Sequence, residues 1–303
     1  MQNKKLLQIL AVIFAAVFLG CVAWLAIYFV QLSKANEQLK NLKNDYVEEA
    51  VASSETLQAE NQTETNADAD SVEQTNASTQ VNAESQETIE EQASDSKYPG
   101  LEGYDVPKKD IDLAALQREQ NEHIYAWITI PGTVIDYPVL QHPEEIGYYL
   151  DHNLDHSTGY PGCIYTQLYN SKEWDDPITS VYGHNMKDGS MFAALHSYRD
   201  SQFFEENPYI YIYTEDKTLV YEIFAAYEYN DMDLVLMYHY GGESAYKEYL
   251  DSIYTLDGIN NNFNTEIEVT AEDKVLTLVT CISDKPDMRY LVQGVLVAEG
   301  EAQ

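Results

Sequence analysis

The chain has 303 residues with 51 Asp and Glu against 17 Lys and Arg, a formal net charge of −34. So acidic a protein has no broad basic surface with which to displace counterions from a phosphate backbone, which excludes nucleic acid as a partner. Its three cysteines, at positions 21, 163 and 281, build neither a disulfide framework nor a CxxC metal site, so the fold must rest on its hydrophobic core.

After a short flank (residues 1–8) holding Lys4 and Lys5, residues 9–30 form a run of 22 without a single charge. At about 1.5 Å per residue this is roughly 33 Å of helix, enough to cross a hydrocarbon core of about 30 Å. The run is longer than the ~7–15 residues of a signal-peptide core and no A-x-A site closes it, so it reads as an uncleaved membrane anchor. Phe18-Leu19-Gly20-Cys21 faintly resembles a lipobox, but apolar residues continue beyond Cys21 where a mature lipoprotein turns polar. Lys4 and Lys5 on one side face Lys34, Lys40 and Lys43 on the other, so the Lys/Arg count leaves the orientation open.

Residues 31–50 carry Leu32, Leu39 and Leu42 among polar residues, a helical spacing that extends the anchor as a stalk. Residues 51–97 follow, and up to residue 96 they hold 11 acids with no Lys, Arg, aromatic, Pro or Gly. A segment of this composition cannot bury enough apolar area to offset its ordering entropy, which predicts a disordered acidic linker. Residues 98–303 hold 23 of the 25 Tyr and two of the three Trp, as expected of one folded domain. That domain has 36 acids and 11 bases, so it is strongly anionic in its own right.

Within the domain the pattern is mainly β. A helix is expected over 112–122, then strands over 126–130, 135–140, 163–166, 180–182, 209–214, 219–227, 275–281 and 290–298, with helices at 190–198 and 243–253. Eight short strands suggest a barrel or a sandwich.

Cys281 ends the run 275–281 (VLTLVTC), a strand rich enough in apolar residues to be buried on both faces. A lone Cys there is by default a small core hydrophobe. The sequel changes that: residues 282–288 (ISDKPDM) read as a polar loop, and Arg289 opens the returning strand, which brings a guanidinium beside the thiol. Such a cation favours the thiolate and can stabilise an oxyanion. Seven His compete to be the proton-transfer partner, and His184 stands out because it closes the strand at 180–182 in a strand-end loop. His152 and His156 lack the Glu of an HExxH helix and read as loop histidines, and no metal or cofactor is expected. Cys163 has no adjacent base and reads as a buried structural thiol, not paired with Cys281.

These residues resemble a known family. The run 277–281 (TLVTC) is similar to the TLxTC signature of sortases, 182–185 (YGHN) to their histidine motif, and Arg289 lies at the matching distance beyond the cysteine. The stretch 181–192 (VYGHNMKDGSMF) resembles class B, as does a helix within the long connection at 229–273. The resemblance covers about residues 111–297 and departs from the class pattern at Val279, where many members carry Ser, and at Ile282, where several carry an acid. It implies an eight-stranded sortase-type β-barrel with N-terminal helices. It also implies a cysteine transpeptidase with Cys281 as nucleophile, His184 as general acid and base, Arg289 as oxyanion donor, and Thr280 shaping the substrate site. The partners it implies are secreted proteins bearing a C-terminal sorting signal, cleaved after Thr, and an amine of a peptidoglycan precursor or cross-bridge. The implied location is the cell membrane, single-pass, with the N-terminus cytoplasmic and the catalytic domain outside. A hydrolytic cysteine protease on the same pair and a non-enzymatic tethered adhesin are the competing readings.

Overall fold

The computed structural model describes residues 2–48 and 105–302, so the expected acidic linker at 51–97 lies outside the described residues. Helix α1 (Gln2–Tyr46) carries the apolar run. Its part Ile13–Tyr46 is long and apolar enough to cross a membrane. Phe14 (74% exposed) and Leu19 (66%) stand exposed on different sides of it, as suits an apolar surrounding. The helix continues unbroken through the expected stalk but stops at Tyr46, short of residue 50. There the chain turns into β1 (Val47–Glu48), which pairs antiparallel with β2 (Asp110–Ile111).

Helix α2 (Leu113–Glu119) is capped by Asp112, whose carboxylate accepts from the Ala115 N–H at 2.7 Å. The barrel strands follow: β3 (Ile124–Thr129), β4 (Asp136–Leu140), β5 (Ile164–Thr166), β6 (Ile178–Tyr182), β7 (Tyr209–Tyr213) and β8 (Lys217–Asn230). After the short β9 (Asn262–Phe263), β10 (Val275–Ile282) and β11 (Lys285–Glu301) complete the set. Their order is β11-β10-β6-β5-β4-β3-β7-β8, and β8 pairs back onto β11, so eight strands close a mixed barrel while β9 lies on its margin. The β4–β5 and β6–β10 pairs are parallel and the other barrel pairs antiparallel. Every expected strand is a barrel strand, and among the described residues closure leaves no long free edge.

Two connections differ from expectation. The helix expected at 190–198 is a 3₁₀ helix, Phe192–Arg199, followed by α3 (Ser201–Glu206) behind an Asp200 cap. The helix expected at 243–253 is the second half of α4 (Leu234–Ile253). Asp233 caps its start by accepting from the N–H groups of Val235 and Leu236, and Gly242, at φ +69°, kinks it in the middle. That kink is why the helical period shows only beyond residue 242.

The alternation of the strands builds three layers. Leu276 and Leu278 belong to the barrel core with Ile128, Val181, Ile212 and Val292. Their neighbours Val275, Leu291 and Val295 lie on the outer face against Tyr246, Tyr249 and Ile253 of α4. Trp127, Leu140 and Tyr211 are covered by Leu116 of α2 and Leu42 of α1.

Candidate active site

The period of two along a strand places the chemistry. Val279 partners Tyr182 across the parallel β6–β10 pair, and Cys281 partners Arg289 across the antiparallel β10–β11 pair. Cys281 follows Val279 by two and so shares its outer face, and His184 lies two residues beyond the end of β6 at Tyr182, in the loop at the same end of the barrel and in the same cleft. Arg289, directly opposite Cys281, shares that face. The loop after β6, the end of β10 and the start of β11 thus present an imidazole, a thiol and a guanidinium in that order. They line a cleft of about 360 Å³ together with Leu150, Tyr182 and Asp233.

The polypeptide around the thiol is tightly held although the Cys281 side chain is exposed. The Cys281 carbonyl accepts from Asn185 Nδ2 at 3.0 Å and from His196 Nε2 at 3.0 Å. Asn185 Nδ2 also reaches Ser283 Oγ at 3.2 Å, across a bulge in the register between Cys281 and Ile282. Burial pushes His196 below the usual imidazole value, and the bond to the Cys281 carbonyl offsets this only in part. A neutral ring that donates through Nε2 fits that carbonyl, which can only accept.

His184 is half-buried and donates from Nε2 to the Leu150 carbonyl at 2.6 Å, with the Tyr160 ring 5.0 Å away between centroids. No hydrogen bond joins it to Cys281 among the described residues. Such catalytic bonds commonly form only once substrate closes the site. Arg289 uses Nη1 to donate to the carbonyls of Pro286 (2.8 Å) and Met288 (2.9 Å), which fixes the plane of the guanidinium. Its other N–H donors make no hydrogen bond to a described residue. Thr280 is 1% exposed, and its hydroxyl donates to the Gly183 carbonyl at 2.8 Å, bracing β10 against the loop that carries His184.

Gly183 is the joint between these elements. Its N–H donates to the Val279 carbonyl at 3.1 Å. A Cβ there would stand 2.5 Å from Ile164 Cδ1 and 2.7 Å from the Phe192 ring, inside contact distance of packed groups. Gly183→Ala is therefore expected to cost about 1–3 kcal/mol and, by shifting the next residue, to lower turnover by about tenfold or more. Thermal unfolding and peptide turnover of the same preparation check this.

The other side of the cleft belongs to α4. Its cap residue Asp233 accepts from the hydroxyls of Tyr169 and Tyr182, which ties the start of that helix to the sheet beside the thiol. Of the remaining histidines, His123, His142, His152 and His156 gather around Tyr148 and Tyr149. His239 lies on α4 beside Tyr240. Cys163 is 3% exposed, its Sγ lies 3.5 Å from the His152 carbonyl, and burial pushes its thiol well above the ordinary range. The sequence reading missed His196 as the holder of the Cys281 carbonyl. It also missed Leu150, whose contribution is a backbone oxygen and so leaves no mark on residue type.

A family model described as "Sortase domain" matches residues 128–297. Sortase B of Listeria monocytogenes is 33% identical over 190 residues, which span 62% of this chain and 75% of that protein. Sortase B of Staphylococcus aureus is 29% identical over 162 residues, 53% of this chain and 64% of that protein. Among solved structures, sortase B of Clostridium perfringens superposes with a TM-score of 0.54 at 29% identity, covering 61% of this chain and 100% of that one.

Proposed function

The chain belongs to the sortase family as a class B member, a cysteine transpeptidase of the cell-wall-anchoring kind, and from that premise we propose that Cys281 is its nucleophile, His184 its proton carrier and Arg289 its oxyanion donor. The observation that carries this reading is that all three line one cleft, with Arg289 in register opposite Cys281 and His184 just beyond the end of the strand beside them.

The steps follow from the chemistry of the groups. The Cys281 thiolate adds to the carbonyl carbon of the Thr in a sorting signal, and the carbonyl π pair moves onto oxygen. The Arg289 donors left free by the Pro286 and Met288 carbonyls can meet that charge. Collapse of the adduct breaks the C–N bond, and imidazolium at His184 protonates the leaving amine, leaving a thioester on Cys281. An incoming amine of a peptidoglycan precursor then attacks the thioester and gives its proton to the now neutral His184. The thiolate departs and a new amide remains. Two half-reactions share one acid–base group, which returns to its starting state.

Helix α1 supplies the membrane anchor in this reading, crossing once with its N-terminus in the cytoplasm and the barrel outside. Its exposed apolar surface supports the crossing. The test of transpeptidation is the product: with a saturating amine, the peptide–amine adduct should outweigh free acid, and free acid alone would mean a hydrolase. The domain charge adds a second expectation. An anionic surface raises the local concentration of a cationic amine, so the transfer rate should fall several-fold between low and high ionic strength. Initial rates at two salt concentrations measure this, and equal rates would remove steering from the account.

A further inference from the structure

The half of α1 beyond the apolar run packs on the barrel through a stripe at helical spacing. Ala35 is 7% and Leu42 2% exposed, and Leu32 and Leu39 lie against the core. Polar contacts flank the stripe. Asn36 Nδ2 donates to Asp188 Oδ2 at 3.0 Å, which attaches the helix to the loop following His184. Tyr46 donates its hydroxyl to Glu119 Oε2 at 2.8 Å, and its carbonyl accepts from the Asp112 N–H at 3.3 Å.

The decisive contact is at Asp136. Lys43 Nζ lies 2.5 Å from Asp136 Oδ2, and Lys109 Nζ lies 2.5 Å from Asp136 Oδ1, with Trp127 Nε1 donating to the same Oδ1 at 2.7 Å. The two lysines come from opposite sides of the acidic segment and meet on one carboxylate that is 11% exposed. Burial disfavours ionisation of Asp136, yet the bonds from Lys109, Lys43 and Trp127 outweigh it and hold the carboxyl below the usual range. A few residues further on, Glu48 partners Asp110 and Val47 partners Ile111 in the β1–β2 pair. The chain therefore leaves the domain at residue 48 and, with Val106 packed against the core and Lys109 on Asp136, is back beside the same point by residue 110.

We infer that residues 31–48 are a built-in wall of the catalytic domain, and that the acidic segment at 51–97 runs between flanks joined to one another at β1 and β2 rather than serving as a tether between membrane and enzyme. As a tether, its 47 residues would give a root-mean-square reach of about 35–40 Å. With its flanks joined, its length does not set the distance from membrane to barrel. The barrel instead begins within about 10 Å of the end of the apolar run at Val30, from the rise of the helix between Val30 and the first core contacts. Resting on the reading of α1 as an anchor, this confines the cleft to sorting signals held at the membrane surface.

The docking is tested in the full-length chain in membranes, in a Cys21→Ala background, with Glu48→Cys and Asp110→Cys together. Partnered Cα atoms in an antiparallel pair lie about 4.5–5.5 Å apart, within disulfide range. Mild oxidation should link this pair in most chains, as mapped by mass spectrometry of the joined peptides. A Glu48→Cys/Tyr240→Cys reference pair, whose second site is 84% exposed on α4, should link at least tenfold less. No 48–110 link, or equal yields from both pairs, would overturn the inference. These yields require no turnover, so they stand apart from the catalytic assignment. In a second arm, deleting residues 55–94 or doubling that segment should leave turnover of a membrane-held substrate unchanged within about twofold. A several-fold dependence on segment length would equally overturn it.

Discussion

Cys281→Ala is expected to remove acyl transfer, lowering kcat/KM by at least about 10⁴-fold, because the thiolate that forms the covalent intermediate is lost. The same change should move the thermal midpoint by no more than about 1–2 °C, since the side chain is exposed and its residue is held through its backbone carbonyl by Asn185 and His196. Cys163→Ala should behave in the opposite way. That thiol is 3% exposed within a cluster containing Trp127, Tyr149 and Leu154, so its loss should cost about 1–2 kcal/mol and leave the turnover of folded enzyme close to normal. Parallel turnover and unfolding measurements on the two variants separate a chemical thiol from a packing thiol. Activity surviving in Cys281→Ala would assign the chemistry elsewhere.

Arg289→Ala carries the second large effect. Loss of an oxyanion donor costs about 10²–10³-fold in kcat, and KM should change little because the charge develops only in the transition state. Arg289→Lys should recover only a small part. The arginine holds the Pro286 and Met288 carbonyls with Nη1 while its remaining N–H groups stay available, and a single ammonium cannot do both in that geometry. Steady-state kinetics on the two variants provide the check. A rise in KM with kcat intact would make Arg289 a substrate-binding group instead.

The barrel was legible because its strands carry apolar runs, as where Leu276 and Leu278 fill the barrel core while Val275 meets α4 on the outer face. The meeting of Cys281 and Arg289 at the candidate site was legible because one strand ends at Cys281 and the next returns beside it. Less visible was the turn between them. Residues 282–288 look like a loop, yet β11 starts at Lys285, because Ser283 and Asp284 suffice to reverse the chain while Lys285 partners Ile282. Lys285 also pairs with Glu228, giving this polar stretch a reason to be extended. Contacts between distant segments left no local signal. The pairing of Glu48 with Asp110, the meeting of Lys43 and Lys109 on Asp136, and the bond from His196 to Cys281 each join residues whose own neighbours say nothing of the partner.

The central claim is that an acyl group resides on Cys281 between the two half-reactions. Incubating the full-length protein with a library of quenched pentapeptides in the absence of amine, followed by acid quenching and mass mapping, addresses it directly. A mass increase equal to the acyl portion ending in Thr is expected. It should sit on the peptide containing Cys281, be removed by hydroxylamine and be absent from Cys281→Ala. An adduct on Cys163, or cleavage that proceeds with no adduct on Cys281, would contradict it.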